Sequence, residues 1–335
     1  MKSPFSNKEM ILKKEKRTLE FRKETFEIVF HYFKCEDSFE QFTTTALDEI
    51  NMNQVYNQYR EKYNIPFAEN ITKIRKKYGL SASKMSEILG FGINSYRQYE
   101  AGEMPSVANA KLIQIIEDPE KFIDMVKLCN TLDSNLKEKI ILKTQTLVDE
   151  KKRNAFQVNL KNYLIGHPNA DLFSGYRNPN FEKLTEMVVF FSDQCQPFKT
   201  KMNKLLFYAD FLMFKNSCFS ISGMRYKALE MGPVPNNFQS IFEYLSNTNE
   251  IEIHTVKFPQ GISGEQFFAK KERPFNPSIF SENELEILTK VATSFQNASS
   301  SDIIEHSHLE EAWIANKNEK SFISYQYAFD LKLSK

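Results

Sequence analysis

The stretch NITKIRKKYGLSASKMSEILGFGINSYRQYEAGEMPS constrains the chain most. Glycines break it into segments too short to be anything but compact helices around tight turns. Ile71, Ile74 and Tyr78 fall at helical spacing, so the first segment buries one stripe. Lys73, Arg75, Lys76 and Lys77 surround that stripe with positive charge. Ser81 or Ser83 caps a second helix, SKMSEILG, whose Met85, Ile88 and Leu89 point inward. Gly90 and Gly92 permit a sharp turn. A third helix, INSYRQYE, turns Tyr96 and Tyr99 to the core and leaves Asn94, Ser95, Arg97 and Gln98 outward at its start. Pro105 closes the run and VANAKLIQII supports it.

This pattern fits a helix-turn-helix. A short helix enters the major groove with its first side chains toward base edges. Asn and Gln can pair with adenine and Arg with guanine. Ser83, Lys84 and the amides that start the second helix, together with Lys76, suit phosphate. Net charge over the 335 residues is only +1, so any DNA contact must come from such a local patch.

The front of the chain reads as a small β-rich unit. In FEIVFHYFKC, Phe26, Ile28, Phe30 and Tyr32 alternate onto one face. MKSPFSNKEM and FKCEDSFEQF place Ser3-x-x-Ser6 and Cys35-x-x-Ser38 at the spacing of two zinc hooks. Serine hydroxyls are poor zinc donors and one thiolate cannot hold the ion, so a metal-free lobe is expected. Phe5, Phe33, Phe39 and Phe42 are candidates to replace the metal by apolar burial. His31 shares a strand face with Phe33 and reads as packed or exposed rather than ligating. On these residues alone a chance spacing of serines fits equally well. Residues 46–64 read as helix, closed by Pro66.

Later segments add helices and a second small sheet. LKEKIILKTQTLVDEKKRNAF reads as a charged linking helix, and HPNADLFSGYRNPN as a boundary. In KLLFYADFLMF, Leu205, Leu206, Ala209, Leu212 and Met213 make a core stripe interrupted by Asp210, which should anchor backbone amides or a basic partner. Gly232-Pro233-Val234-Pro235 reads as a stiff turn after Tyr226 and Lys227. A strand pair is expected near 250–257 and 265–271, and a capping box at Ser281 and Glu284. The whole is an α+β chain, predominantly helical.

No enzyme constellation is visible: no P-loop, no G-x-S-x-G and no paired C-x-x-C. No cofactor is expected. His306 and His308 are two apart and poorly spaced for one metal, Trp313 reads as core, and Cys195 and Cys218 as buried thiols. The cysteines give no disulfide framework, which suits a cytoplasmic setting, and no membrane segment is expected.

The glycine-punctuated stretch resembles the Cro/XRE class. Together with MKSPFSNKEM and FKCEDS before it, residues 1–125 resemble the MqsA-type antitoxins, which join a zinc lobe to such a domain. The resemblance places the family's base-reading Asn and Arg at Asn94 and Gln98. Gln98 departs from the family and bears on operator sequence. It also implies that Ser3, Ser6, Cys35 and Ser38 are degenerate metal positions. KLLFYAD, SGMRYKALEMGPVP and HSHLEEAW resemble the Panacea (SocA-like) antitoxin domain, which implies binding and blocking of a protein toxin. Tyr226, Phe238 and Tyr244 are candidate toxin-facing aromatics, with membership of the internal core as the alternative. The organisation expected is a degenerate lobe over 1–64, a helix-turn-helix domain over 65–125, a helical linker over 126–178 and a toxin-neutralising domain over 179–335. The resulting reading is an antitoxin and autorepressor, dimeric on operator DNA. A prophage or defence-system regulator or protease adaptor without a dedicated toxin is the alternative.

Overall fold

The computed structural model describes residues 2–4, 7–166, 169–261 and 263–333. They divide into two compact units, one formed by 1–58 with 162–335 and the other by 59–161.

The first unit opens with a hairpin, β1 (Ile11–Phe21) and β2 (Glu24–Lys34), with a short β3 (Gln41–Phe42) on the far side of β2. Arg22 and Lys23 form the two-residue turn with positive φ at both positions, the geometry that matches strand twist. Sequence reading missed β1, because its charged residues hide the alternation. Such charge is what protects an edge strand. Phe26, Ile28 and Tyr32 are buried as expected, while Phe30 is half-buried.

Helix α1 (Thr45–Tyr63) follows. Its buried amides close the exposed backbone of β2. Asn51 accepts from the His31 N–H at 2.8 Å and donates to its carbonyl at 3.0 Å. Gln54 does the same for Val29, at 2.9 Å in both directions. Gln58 donates to the Glu27 carbonyl. Residues 27, 29 and 31 thus meet a helix face instead of another strand. On its other side α1 donates from Asn53 and Asn57 to the carbonyls of Ser217 and Cys218. Lys14 of β1 donates to the Phe329 carbonyl and pairs with Asp330. Of the lobe expected over 1–64, the part up to Gln58 therefore lies in one unit with the C-terminal residues.

The second unit contains α2 (Ala68–Tyr78), α3 (Ala82–Leu89), α4 (Ser95–Glu100), α5 (Val107–Ile115), α6 (Pro119–Leu128) and α7 (Ser134–Arg153). Its core gathers Ile71, Tyr78, Met85, Tyr96, Ile113, Phe122, Val126 and Ile140. Tyr78 stacks on Phe122 with centroids 3.8 Å apart. The expected boundary at 125 falls inside this core. The charged run read as a linker is α7, which buries Ile140, Thr144 and Val148 at four-residue spacing. Its charges are the solvated face of a packed helix.

After α8 (Ala155–Ile165), the C-terminal region is built on α9 (Phe181–Cys195) and α10 (Lys199–Ser217). Helix α10 is buried from Lys201 through Phe214, including the expected stripe. Around it lie the hairpin of β4 (Tyr226–Leu229) and β5 (Gly232–Pro235), then α11 (Phe238–Asn247), a second hairpin of β6 (Glu252–Lys257) and β7 (Ser263–Phe268), and α12 (Glu282–Phe295), α13 (Ser300–His308) and α14 (Glu311–Ile314). The proline-rich passage read as a turn is thus a strand. A two-stranded sheet tolerates the missing donors of Pro233 and Pro235. The capping box at Ser281 and Glu284 is formed in both directions.

Two consequences can be measured. Asn51→Leu removes the partners of the His31 N–H and carbonyl and should lower stability by about 3 kcal/mol in urea unfolding. His31 is buried edge-on to Phe329. Burial first, and Lys14 second, hold its imidazole down at about 4. Between about pH 6.5 and 4 the unfolded chain takes up a proton that the folded one refuses. Stability should therefore fall by up to about 3 kcal/mol as pH drops through that window, and His31→Phe should flatten the fall.

Candidate nucleic-acid interface

The turn chemistry of 79–95 follows from a few residues. Gly79 and Gly90 end α2 and α3 in the left-handed region, with φ of 65° and 69°. Ser81, not Ser83, caps α3 by accepting from the Lys84 N–H at 3.2 Å. The Ser95 N–H donates to the Gly92 carbonyl and starts α4.

Buried hydrogen bonds fix α4 in place. The Tyr96 N–H donates to Ser86 Oγ at 3.1 Å, and the Tyr96 hydroxyl donates to the Ile71 carbonyl at 2.9 Å. The short helix is thereby tied to both α3 and α2. Asn94, Arg97 and Gln98 are exposed and Ser95 is half-buried. Among the described residues nothing occupies the side chains of Asn94, Arg97 or Gln98. Ser83 is exposed, with its Oγ 3.1 Å from Ser81 Oγ.

The basic cluster is less uniform than its sequence. Arg75 is committed to Glu100 at 2.7 Å and to the Leu80 carbonyl. Lys77 donates to the Glu117 carbonyl, and burial lowers its pKa. Lys84 pairs with Glu87 at 2.7 Å. Lys73 and Lys76 are exposed, without such partners among the described residues.

At the front, two turns share one bonding pattern. The Ser3 N–H donates to the Lys8 carbonyl and the Asn7 N–H to the Ser3 carbonyl. The Cys35 N–H donates to Glu40 and the Phe39 N–H to Cys35 in the same order. Asn7 and Phe39 both sit in the left-handed region, at φ of 55° and 59°. Lys8 pairs with Asp37 across them. Ser3 and Cys35 are buried, whereas Ser38 is exposed. Ser6 and Phe5 lie outside the described residues. Among the described residues no group of three or more His, Cys, Asp or Glu is placed to hold a metal. The donors at hand do not fit zinc, which needs ionised thiolate, imidazole or carboxylate. The aromatic replacement expected from the sequence is corrected at Phe39, which is 70% exposed, while Phe33 and Phe42 are half-buried partners in the β2–β3 register.

The candidate partner surface also needs correction. Tyr226 is fully buried, and its hydroxyl donates to Asp210 Oδ2 at 2.7 Å. Asp210 also accepts from the Ile221 and Ser222 amides at 2.8 Å and from the Ser222 hydroxyl. Burial pushes its carboxyl up, and these donors pull the other way. The core reading of Tyr226 therefore holds, because a buried carboxylate requires its hydroxyl. Phe238 and Tyr244 are half-buried against Phe242 and Phe181.

Sequence reading passed over the tip of the β4–β5 hairpin. Met231 is 57% exposed there. Trp313 donates from Nε1 to the Leu229 carbonyl at 2.8 Å and stacks on His308 at 3.8 Å. Leu309 and Ile314, beside them in the chain, are exposed as well. The available signal was Met231 between Glu230 and Gly232, an apolar residue at a hairpin tip with nothing in sequence to cover it.

A chelator should leave the melting temperature unchanged, and elemental analysis of the purified chain should find no stoichiometric zinc.

Two family models match separate parts of the chain. Residues 1–127 match the family described as the antitoxin component of bacterial toxin-antitoxin systems, MqsA. Residues 202–314 match the family described as antitoxin SocA-like, Panacea domain. The cryptic phage CTXphi transcriptional repressor RstR of Vibrio cholerae serotype O1 is 26% identical over 109 residues, covering 32% of this chain and 94% of the repressor. Antitoxin MqsA of Escherichia coli (strain K12) is 32% identical over 60 residues, covering 18% of this chain. The chain spans 46% of that antitoxin, a little under half. An MqsA-like segment and a SocA-like segment, each similar to an antitoxin family, thus stand in one chain.

Proposed function

We propose that this chain is an antitoxin that binds and blocks a cognate protein toxin and represses its own operon as a homodimer on operator DNA. Under this reading it acts in the cytoplasm and carries no catalytic activity. Among the described residues no helix is long and apolar enough to cross a membrane. The observation that carries the DNA half is the set of exposed, uncommitted side chains on a helix pinned by Tyr96. Asn94, the helical-geometry cap that precedes α4, and Gln98 lie four apart, so they share one face and address neighbouring bases. Arg97 stands beside them as the guanine-competent group. Ser83 and Lys76 position the duplex through phosphate, whereas Lys84 is held by Glu87. Two copies would read two half-sites.

The toxin half rests on the SocA-like segment and on exposed apolar side chains within it. Met231, Leu309 and Ile314 are better placed for contact than Tyr226. Phe238 and Tyr244 remain partly accessible. The second reading is a prophage or defence-system regulator, or protease adaptor, without a dedicated toxin. The coverage of nearly the whole phage repressor favours it. Co-purification of the full chain with the product of its neighbouring gene separates the two. Relief of growth arrest supports the antitoxin, whereas capture of a protease or phage protein alone supports the regulator.

Substitutions test each half. Asn94→Ala should cost about 1–3 kcal/mol on operator DNA and relax selectivity at one base pair. Lys76→Ala should weaken operator and random DNA alike and reduce the salt slope by about one. Equal losses on both DNAs for Asn94→Ala would remove the base-reading role. Met231→Asp with Leu309→Asp should abolish toxin neutralisation while leaving operator affinity unchanged, measured by growth rescue and by DNA titration.

A further inference from the structure

The residue just before Asn94 is Ile93, and it is 74% exposed. It lies in the turn that begins with the Ser95 to Gly92 hydrogen bond, so its backbone is set by the same bonds that hold α4. Besides Gly92, the exposed residues at this end of the helix are Ile93, Asn94, Arg97 and Gln98. Three are polar groups suited to base edges and the fourth is a branched hydrocarbon. Ile93 also walls a depression of about 410 Å³ with Phe91, Ser83, Lys84 and Glu87. An apolar wall there adjoins a hydroxyl and an ammonium, with the Glu87 carboxylate held by Lys84. A major-groove edge offers the complementary arrangement, because thymine carries the one apolar group displayed there, its C5-methyl, close to phosphate.

The geometry points to Ile93 as a specificity-determining residue that reads a thymine methyl next to the base pair addressed by Asn94. This deepens the DNA-binding reading and rests on it. Burying one methyl group is worth about a fourfold change in affinity.

The test uses the full chain and a duplex that it selects from a random pool. Each thymine of that duplex is replaced in turn by deoxyuridine, which removes only the methyl. One position in each half-site should weaken wild-type binding about fourfold. Ile93→Ala, with an unchanged melting temperature, should bind the thymine and uracil duplexes equally. Ile93→Val should keep most of the difference. Wild-type binding that is sequence-specific yet indifferent to every uracil overturns the assignment and leaves the DNA reading standing. An undiminished uracil penalty in Ile93→Ala overturns it too, since another group then reads the methyl. Selection that enriches no duplex over random DNA removes the DNA reading, and this assignment falls with it.

Discussion

The side-chain amides of α1 are the interaction on which the first unit depends. A strand edge with unpaired N–H and C=O groups must be covered, paired or kept in water. Here Asn51 and Gln54 pair with the backbone of His31 and Val29 in both directions, and Gln58 extends the row to Glu27. The spacing works because side chains three or four apart on a helix lie on one face, while alternate strand residues point their peptide groups to one edge. From the neighbouring face Asn53 and Asn57 reach the carbonyls where α10 ends. The helix therefore satisfies a strand edge and a helix terminus together. This gives the front lobe a source of order independent of any metal. Its two turns keep their bonding through backbone groups, for which serine serves as well as cysteine.

A second polar anchor organises the C-terminal region. Asp210 sits in an aromatic core of Phe207, Phe211, Tyr226 and Tyr325, and its oxygens collect the amides of the loop at 221–222. An apolar residue at this position would leave those donors unpaired, at a cost comparable with the hydrogen bonds themselves. Lys204, six residues earlier on the same helix, is also fully buried, with the Pro233 carbonyl as its partner. Desolvation pulls its ammonium down to about 7. Gly232 is obligatory beside it: its φ is 98°, and a Cβ would run into Lys204 and Ser307. These contacts hold the β4–β5 hairpin against α10 and α13, and so determine which residues stand at its tip.

The parts legible in sequence were those whose signal is local. Glycines at 79 and 90, the serine cap and the tyrosine pair at 96 and 99 each act within one turn of the residues they order. Their agreement makes the turn and the exposed face of the short helix legible in the sequence. Asp210 was legible for a similar reason, since a lone carboxylate in an apolar helix stripe must find donors. What escaped depends on distant partners. Asn51, Gln54 and Asn57 look like surface amides until β2 and the end of α10 are beside them. For Tyr226 the sequence leaves a partner surface and the core both open, and Asp210 decides for the core by claiming its hydroxyl. The Lys/Glu run of 134–153 hides a narrow stripe of Ile140, Thr144 and Val148 under its charge. Phe39 failed the opposite way: a large aromatic placed by its turn in the open, with Lys34 over its ring.

Charge accounting around α4 connects the structure to assembly. Six cations lie between residues 67 and 105, and the structure commits Arg75, Lys77 and Lys84 to partners. Lys73, Lys76 and Arg97 are left to face a polyanion. With a net charge of +1, the rest of the chain adds little long-range attraction. Each phosphate neutralised contributes about 0.9 to the salt slope, so one copy would reach only about 3. Non-specific affinity from so few contacts is weak at physiological salt. Under the proposed reading, regulation therefore requires either that base edges supply most of the binding energy or that a second copy doubles the phosphate contacts. Asn94 and Gln98 meet the first condition in part. The two-half-site arrangement meets the second, and for that reason dimerisation belongs to the DNA reading instead of being an addition to it.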